Sequence, residues 1–363
     1  MVAVVLVIAA TVRLPFGSMR EWFELTVQWG TIFIVSAYLM RINKWAGLFL
    51  LFALFSHSYP IFYISGWKVI ATDASQDALY AVLLGCLLYA AIVERCTRYD
   101  RILNALVILA CINVLFLVTY KLGGDPYKFI GLTSRADIHC GIMANPNESG
   151  ALMALCFPAF LRKRWCYGIP VVLIGLVLSS SFGGVLGVGL ATCVFLSIMG
   201  YWWVSIIAVI GGIVYWKFVD VPGWQDRYLI WKFAIKTAIN NNPLIGCGLG
   251  NWKILDQGFT EAGVYPAVGG WSRLHNGFIQ GYVEMGIGFI VLLIGYIADT
   301  LRKIDFKRTA VPLAALGAIT GTMIANSVFQ MNALNGMIIV VWLATLEVNN
   351  GDKLDKSLQS GVV

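Results

Sequence analysis

Charge is scarce in this chain. Asp, Glu, Lys and Arg make up 12% of its 363 residues, and hydrophobic residues 59%. A soluble domain carries about 25% charged and about 45–50% apolar residues. With a mean hydropathy of +0.78, the composition excludes an ordinary soluble fold and points to a chain of many membrane spans. Histidine is nearly absent, with three in all. None of the eight cysteines forms a Cys-x-x-Cys pair, so neither a zinc nor a dithiol redox centre is expected. All stand singly, four of them well inside apolar runs (Cys86, Cys111, Cys156, Cys193), where cysteine usually serves as a small core residue. Cys140 and Cys247 fall in loops, and a disulfide between them stays open. There is no internal repeat and no low-complexity tract. The apolar opening Met1–Val12 has no basic leader and no Ala-x-Ala site, so a cleavable signal peptide is not expected. The net charge of +7 is spread through short loops, which is not the footprint of a nucleic-acid partner.

What is present is a succession of apolar segments. They run over about 1–12, 22–40, 45–64, 78–94, 101–120, 148–162, 166–180, 183–199, 201–218, 276–298, 310–327 and 331–347. Backbone inside lipid must satisfy its own hydrogen bonds, so each is expected to be a helix. The expectation is an all-α polytopic membrane protein with about 12 spans. Residues 1–348 form one transmembrane domain, and 349–363 are expected to be a disordered tail. The pair flanking Ser179–Gly184 reads as a broken or re-entrant element. Lys and Arg gather at Arg41/Lys44, Arg95/Arg98/Arg101, Arg162–Arg164, Arg302–Arg308 and the tail. With twelve spans all of these fall on one side, which the positive-inside rule makes cytoplasmic, together with both termini. The loops 121–147 and 219–275 then lie on the outer face.

The longer outer loop holds "WQDRYLIWKFAIKTAINNNPLIGCGLGNW" (224–252). It reads as an amphipathic helix on the membrane surface, ended by Asn240–Pro243 and followed by a glycine-rich turn. Arg227 lies about 140° from Lys232 at 100° per residue. It shares a face with Trp231, Ala234 and Ala238 instead. An arginine turned toward an apolar side either snorkels to lipid headgroups or pairs with an anion, and its planar fork suits phosphate. In the shorter outer loop Arg135 is a second candidate anion ligand, and His139 lies nearby. Asn147 is placed to cap a helix starting near Glu148.

The stretch "WSRLHNGFIQGYVE" (271–284) sets His275 at the outer boundary beside Arg273. Asn276, Gln280 and Glu284 then follow at four-residue steps on one helical stripe. Such a stripe faces protein or a water-filled cavity, not lipid. A lone histidine is more often structural than catalytic, yet a neutral imidazole here suits general-base work on a hydroxyl. His57, within an apolar segment, ranks below it, as does His139.

Three pieces together resemble the O-antigen ligase and O-antigen polymerase superfamily of bacterial membrane glycosyltransferases. They are "RADIHCGIMANPNESGALMALCFP", "DRYLIWKFAIKTAINNNPLIGCGLGNW" and "HNGFIQGYVEMGIG". The resemblance covers about Arg135 to Gly288. It implies a GT-C-like fold in the bacterial inner membrane with the active site on the periplasmic face. It implies transfer of a glycan from an undecaprenyl-pyrophosphate carrier to an acceptor sugar hydroxyl, with no metal and no cofactor. The acceptor is a lipid A–core sugar for a ligase, or another lipid-linked glycan for a polymerase. By the same resemblance His275 is the base, Arg227 holds the leaving pyrophosphate and Glu284 positions its neighbours. Arg135, Arg273, Asn147 and Asn276 complete the expected substrate contacts. One departure stands out. The family commonly has Ser-x-Ser-Arg-Gly after the seventh span, and that arginine also meets the pyrophosphate. This chain reads "LSSSFGGVLG", with Phe182 in that place. Either Arg135 or Arg273 substitutes, or the donor geometry or the activity itself differs. A transporter or flippase, and a non-catalytic scaffold of a glycan-assembly complex, are the readings from other classes.

Overall fold

The computed structural model describes residues 17–63, 73–95, 99–129, 140–143, 145–208, 210, 224–252, 274–304, 306, 309–326 and 333–350. Every regular element among the described residues is helical. In chain order they are α1 (Gly17–Ile42), α2 (Lys44–Tyr63), α3 (Asp73–Arg95), α4 (Tyr99–Lys121) and α5 (Pro126–Phe129). There follow α6 (Pro146–Phe160), a 3-10 turn at Cys166–Gly168, α7 (Ile169–Ser179) and α8 (Phe182–Ile198). The last four are α9 (Trp224–Asn241), α10 (Gly277–Lys303), α11 (Ala310–Ala325) and α12 (Ala333–Asn350). The apolar segments expected between 22 and 199, and between 276 and 347, coincide with these helices. The segment 1–12, residues 209 and 211–218 of the segment 201–218, and the tail from 351 onward lie outside the described residues, while positions 349 and 350 of the expected tail belong to α12. Two helices, α4 and α10, are long and apolar enough to cross a membrane, and several shorter apolar helices accompany them.

The chain divides into two compact units. The first gathers α1, α2, α3, the part of α9 from Lys232 with its following turn, and α10 from Gly281 to Asp299. Asn43 turns the chain between α1 and α2. Its Oδ1 accepts from the Trp45 and Ala46 N–H groups at 2.9 and 3.2 Å, satisfying donors that a helix start otherwise leaves unpaired. Trp45 and Phe52 of α2 lie over Gly295 and Gly288 of α10, where a Cβ would collide with their rings.

The second unit contains α4 to α8, the N-terminal part of α9, the start of α10, and α11 and α12. Its centre is α6, whose residues from Glu148 to Phe160 are all buried. A helix apolar on every side is a core helix. Pro158 inside it cannot donate a backbone hydrogen bond and crowds the preceding turn. The Trp342 indole of α12 donates to the Leu155 carbonyl in that turn at 2.8 Å. Helices α8 and α11 touch backbone to backbone. A Cβ on Gly321 would stand 2.6 Å from the Gly187 Cα, and one on Gly317 2.7 Å from the Leu190 carbonyl oxygen. Gly183, Gly184 and Gly187 on α8 and Gly317 and Gly321 on α11 permit that approach.

Helix α6 begins earlier than expected, and its cap is a different residue. Asn145, not Asn147, is the N-cap, with its side chain accepting from the Glu148 N–H at 3.0 Å. Pro146 occupies the first helical position, where its fixed φ and missing N–H are both suited. Asn147 therefore lies within the first turn, half-buried. Between α7 and α8 the chain does break. Ser180 takes a left-handed conformation (φ 51°) and Ser181 caps α8.

Candidate functional site

The site grows from the C-terminal end of α11, in the second unit. The last carbonyls of a helix have no partner within it. Here three consecutive ones are taken from outside. The Asn276 Nδ2 donates to the Ile324 oxygen at 2.9 Å. An Arg227 terminal nitrogen donates to the Ala325 oxygen at 3.2 Å. The Gly277 N–H donates to the Asn326 oxygen at 3.0 Å. One short stretch of backbone thus locates both Arg227 and the entry to α10.

Asn276 caps α10. Its Oδ1 accepts from the Phe278 and Ile279 N–H groups at 3.1 and 2.9 Å while its Nδ2 holds Ile324. Both ends of the amide are in use. The preceding residue, Leu274, is also tied at both backbone atoms. Its carbonyl accepts from the Trp231 indole at 2.6 Å, and its N–H donates to the Gln280 Oε1 at 3.4 Å. His275 stands between these two tethered and buried neighbours with φ 50°. Histidine enters the left-handed region more readily than most residues, but the conformation still stores strain. The tethers on either side hold it there. The imidazole itself is half-exposed.

Arg227 is half-buried on α9, and Ile230, Ala234 and Ala238 of the same helix are fully buried. Lys232 and Lys236 are exposed, so the two faces separate as the sequence spacing implies. Burial pushes the Arg227 guanidinium below its ordinary pKa. Its Nε is buried and has no hydrogen-bond partner. No carboxylate pairs with it among the described residues, unlike Arg162, which pairs with Asp100. A partly desolvated cation with an unused donor is the electrostatic condition for taking an anion. The N-terminus of α10 is committed to its own cap and to Asn326. The anion-binding capacity here therefore rests on Arg227.

Glu284 belongs to the first unit and does a different job. Its carboxylate accepts from the Gly250 N–H at 3.1 Å, and its carbonyl accepts from Ser56 Oγ and from the Gly248 N–H. The Cys247 N–H bonds the Val283 carbonyl, and the Ile287 N–H bonds the Pro243 carbonyl. The Pro-Leu-Ile-Gly-Cys-Gly-Leu-Gly turn is thereby pinned onto α10 where the helix is interrupted. Gly286 makes that interruption, at φ 63° and ψ −157°, a region open only to glycine. Cys247 is raised well above the usual thiol range, first by burial and then by Glu284. Cys140 and Cys247 are both free thiols.

Of the residues singled out from sequence, His275, Arg227 and Asn276 come together within one unit. Asn147 lies in the first turn of α6. Arg135, Arg273 and His139 lie outside the described residues. His57 is buried on α2. The sequence reading passed over Asn326, a fully buried amide just beyond α11, and the role of Trp231 as a tether. Trp231 carried a signal, since it shares the Arg227 face. Asn326 carried none beyond being polar at the end of an apolar run. No protein-family model matches the chain, and none of the curated proteins matches it.

Proposed function

We propose that this is an integral membrane glycosyltransferase that moves a glycan from an undecaprenyl-pyrophosphate carrier to an acceptor sugar hydroxyl, in the manner of an O-antigen ligase. The observation that carries the reading is Arg227. Its guanidinium is half-buried, has no carboxylate partner among the described residues and keeps an unused Nε donor. It is anchored on the Ala325 carbonyl, between the Ile324 and Asn326 carbonyls that fix the segment after His275. In this reading Arg227 holds the pyrophosphate, whose charge grows as the glycosyl bond breaks. His275 takes the proton from the attacking hydroxyl. The left-handed backbone presents the imidazole, and Asn276, Trp231 and Gln280 keep it presented. Glu284 acts at a distance by pinning the glycine-rich turn.

A membrane setting is supported by the surface as well as the composition. Ile108 and Leu115 of α4 are 56% and 63% exposed and Val177 of α7 is 75% exposed, apolar side chains left open on helices whose composition suits lipid. The α8–α11 contact through paired glycines is a packing mode of membrane helices. We place the chain in a bacterial inner membrane with about twelve spans, both termini cytoplasmic and the site on the periplasmic face. Fractionation with alkaline extraction tests the first point, and cysteine-labelling from either side tests the orientation.

The function is tested by reconstituting the purified protein with a lipid-pyrophosphate-linked glycan and a lipid A–core acceptor. Transfer by the wild type and none by His275→Ala or Arg227→Ala is the expected result. Full transfer by His275→Ala removes it from the chemistry. Elongation of the lipid-linked glycan with no transfer to the core would make the protein a polymerase instead. The break in α10 at Gly286 favours a second reading, because transporters build sites from interrupted helices. Here, though, the N–H groups of Ile287 and Gly288 are bonded to Pro243 and Leu244 carbonyls, so the break seats a loop. Uptake of labelled solute by proteoliposomes without glycan transfer would establish the transporter.

A further inference from the structure

Phe182 leaves the N-terminus of α8 without the cation that the family resemblance leads one to expect. A different residue stands there. Asn326 is fully buried, and neither its Oδ1 nor its Nδ2 has a hydrogen-bond partner. A buried amide left unsatisfied at both atoms costs stability, and native proteins seldom keep one without a use. Its backbone is locked, with its own carbonyl bonded by Gly277 and the preceding carbonyl bonded by Arg227. Its Nδ2 sits against Gly183, in the space a Cβ on that residue would occupy. Gly183 is in the first turn of α8, a helix of 17 residues whose cap, Ser181, accepts from the Gly184 N–H.

Three sources of positive potential therefore meet around one amide. They are the Arg227 guanidinium with its unused Nε, the dipole at the start of α8, and the Asn326 Nδ2 donor. The Oδ1 beside that donor is the one free acceptor of the group. A ligand that completes this arrangement presents a phosphoryl oxygen with a hydroxyl next to it. We propose that Asn326 is a substrate-contacting residue that reads a sugar-linked phosphoryl group, its Nδ2 donating to a phosphate oxygen and its Oδ1 accepting from a neighbouring sugar hydroxyl. It takes over, by neutral hydrogen bonding, part of the work expected of an arginine at position 182. Gly183 is required because any side chain there displaces the amide. The inference rests on the glycosyl-pyrophosphate reading of the same site.

The test uses the full-length protein in nanodiscs, with undecaprenyl pyrophosphate bearing one sugar, and undecaprenyl pyrophosphate alone, as the probes. Wild type, Arg227→Gln, Asn326→Ala, Asn326→Asp and Gly183→Ala are compared for affinity and for the melting temperature of the empty protein. Asn326→Ala is expected to weaken the sugar-bearing probe about tenfold or more, and the sugar-free probe by less. Asn326→Asp weakens both further, by placing a carboxylate against phosphate. Gly183→Ala reproduces the Asn326→Ala pattern. The melting temperature of empty Asn326→Ala stays level or rises, since an unsatisfied amide is removed. Unchanged affinity with a lowered melting temperature would make Asn326 structural and overturn the inference, while Arg227→Gln still losing the probe would leave the functional reading intact. If the wild type itself binds neither probe, the functional reading falls and the inference with it.

Discussion

Arg227 and Ala325 are 98 positions apart, yet the guanidinium donates to that carbonyl oxygen at 3.2 Å. The bond orients the planar fork by one edge and leaves Nε free. Arg227→Lys retains a charge but loses the fork, so it is expected to keep the fold and still lose activity. Removing an electrostatic contact of this kind costs about 10²–10³ in rate. Steady-state transfer by Arg227→Lys, with its melting temperature measured alongside, checks this. A lysine variant with wild-type rate would show that only charge matters.

The left-handed backbone at His275 separates strain from chemistry. Glycine accepts φ 50° without penalty, so His275→Gly should melt higher than His275→Ala. If His275 is the proposed base, both variants are expected to lose about 10²–10⁴-fold in transfer rate. If His275→Gly alone retains transfer, the residue serves the backbone and not the reaction.

Asn276 is a cap and a tether at once. Asn276→Ala loses both, and the cap alone is worth about 1 kcal/mol. Asn276→Asp keeps the cap to Phe278 and Ile279 but places an acceptor against the Ile324 carbonyl. Both variants are expected to melt below wild type. The aspartate should retain more helix-end protection in hydrogen exchange at residues 278 and 279 than the alanine. Equal protection would mean that the cap contributes nothing.

Glu284 and Cys247 report on the glycine-rich turn. The thiol lies above its ordinary range because of burial first and Glu284 second. A raised thiol pKa means less thiolate at any given pH, so Cys247 should resist maleimide at pH 8. Glu284→Ala removes the acceptor for Gly250 and the negative charge, and labelling of Cys247 rises. Glu284→Gln keeps an acceptor for that N–H and loses only the charge, so its labelling should fall between wild type and Glu284→Ala. Equal labelling of all three proteins would show that the turn is held without Glu284.

The contact of Gly321 with Gly187 leaves no room for a side chain. Gly321→Val should lower stability by about 1–3 kcal/mol or more, as overpacking does. Unfolding in mild detergent measures it. An unchanged melting temperature would mean that α8 and α11 separate more readily than their packing implies.

Local features were legible from the sequence. Apolar run length foretold α1 to α4, α6 to α8 and α10 to α12, but not the short α5, which lies in the stretch 121–147 read as a loop. Helical spacing put Arg227 and Trp231 on one side of α9 and the lysines on the other. These readings succeed because a helix depends on neighbours three and four residues away. Asn145 shows where local reasoning slipped. Asn-Pro-Asn offers two candidate caps, and the preference of proline for the first helical position selects the earlier one.

Which carbonyl receives which donor was decided by the tertiary structure alone. Ile324, Ala325 and Asn326 end an apolar helix and carry no motif. They become the anchor for Arg227, Asn276 and Gly277 only because folding brings together segments some 50 to 100 positions apart. Glu284 follows the His275 stripe at a four-residue step, and the fold shows in addition that its carboxylate accepts from the Gly250 N–H of the glycine-rich turn. Side-chain type and spacing determine what a helix face can offer. The partner that uses it is set by burial, because a polar group removed from water must bond to whatever the packing places beside it.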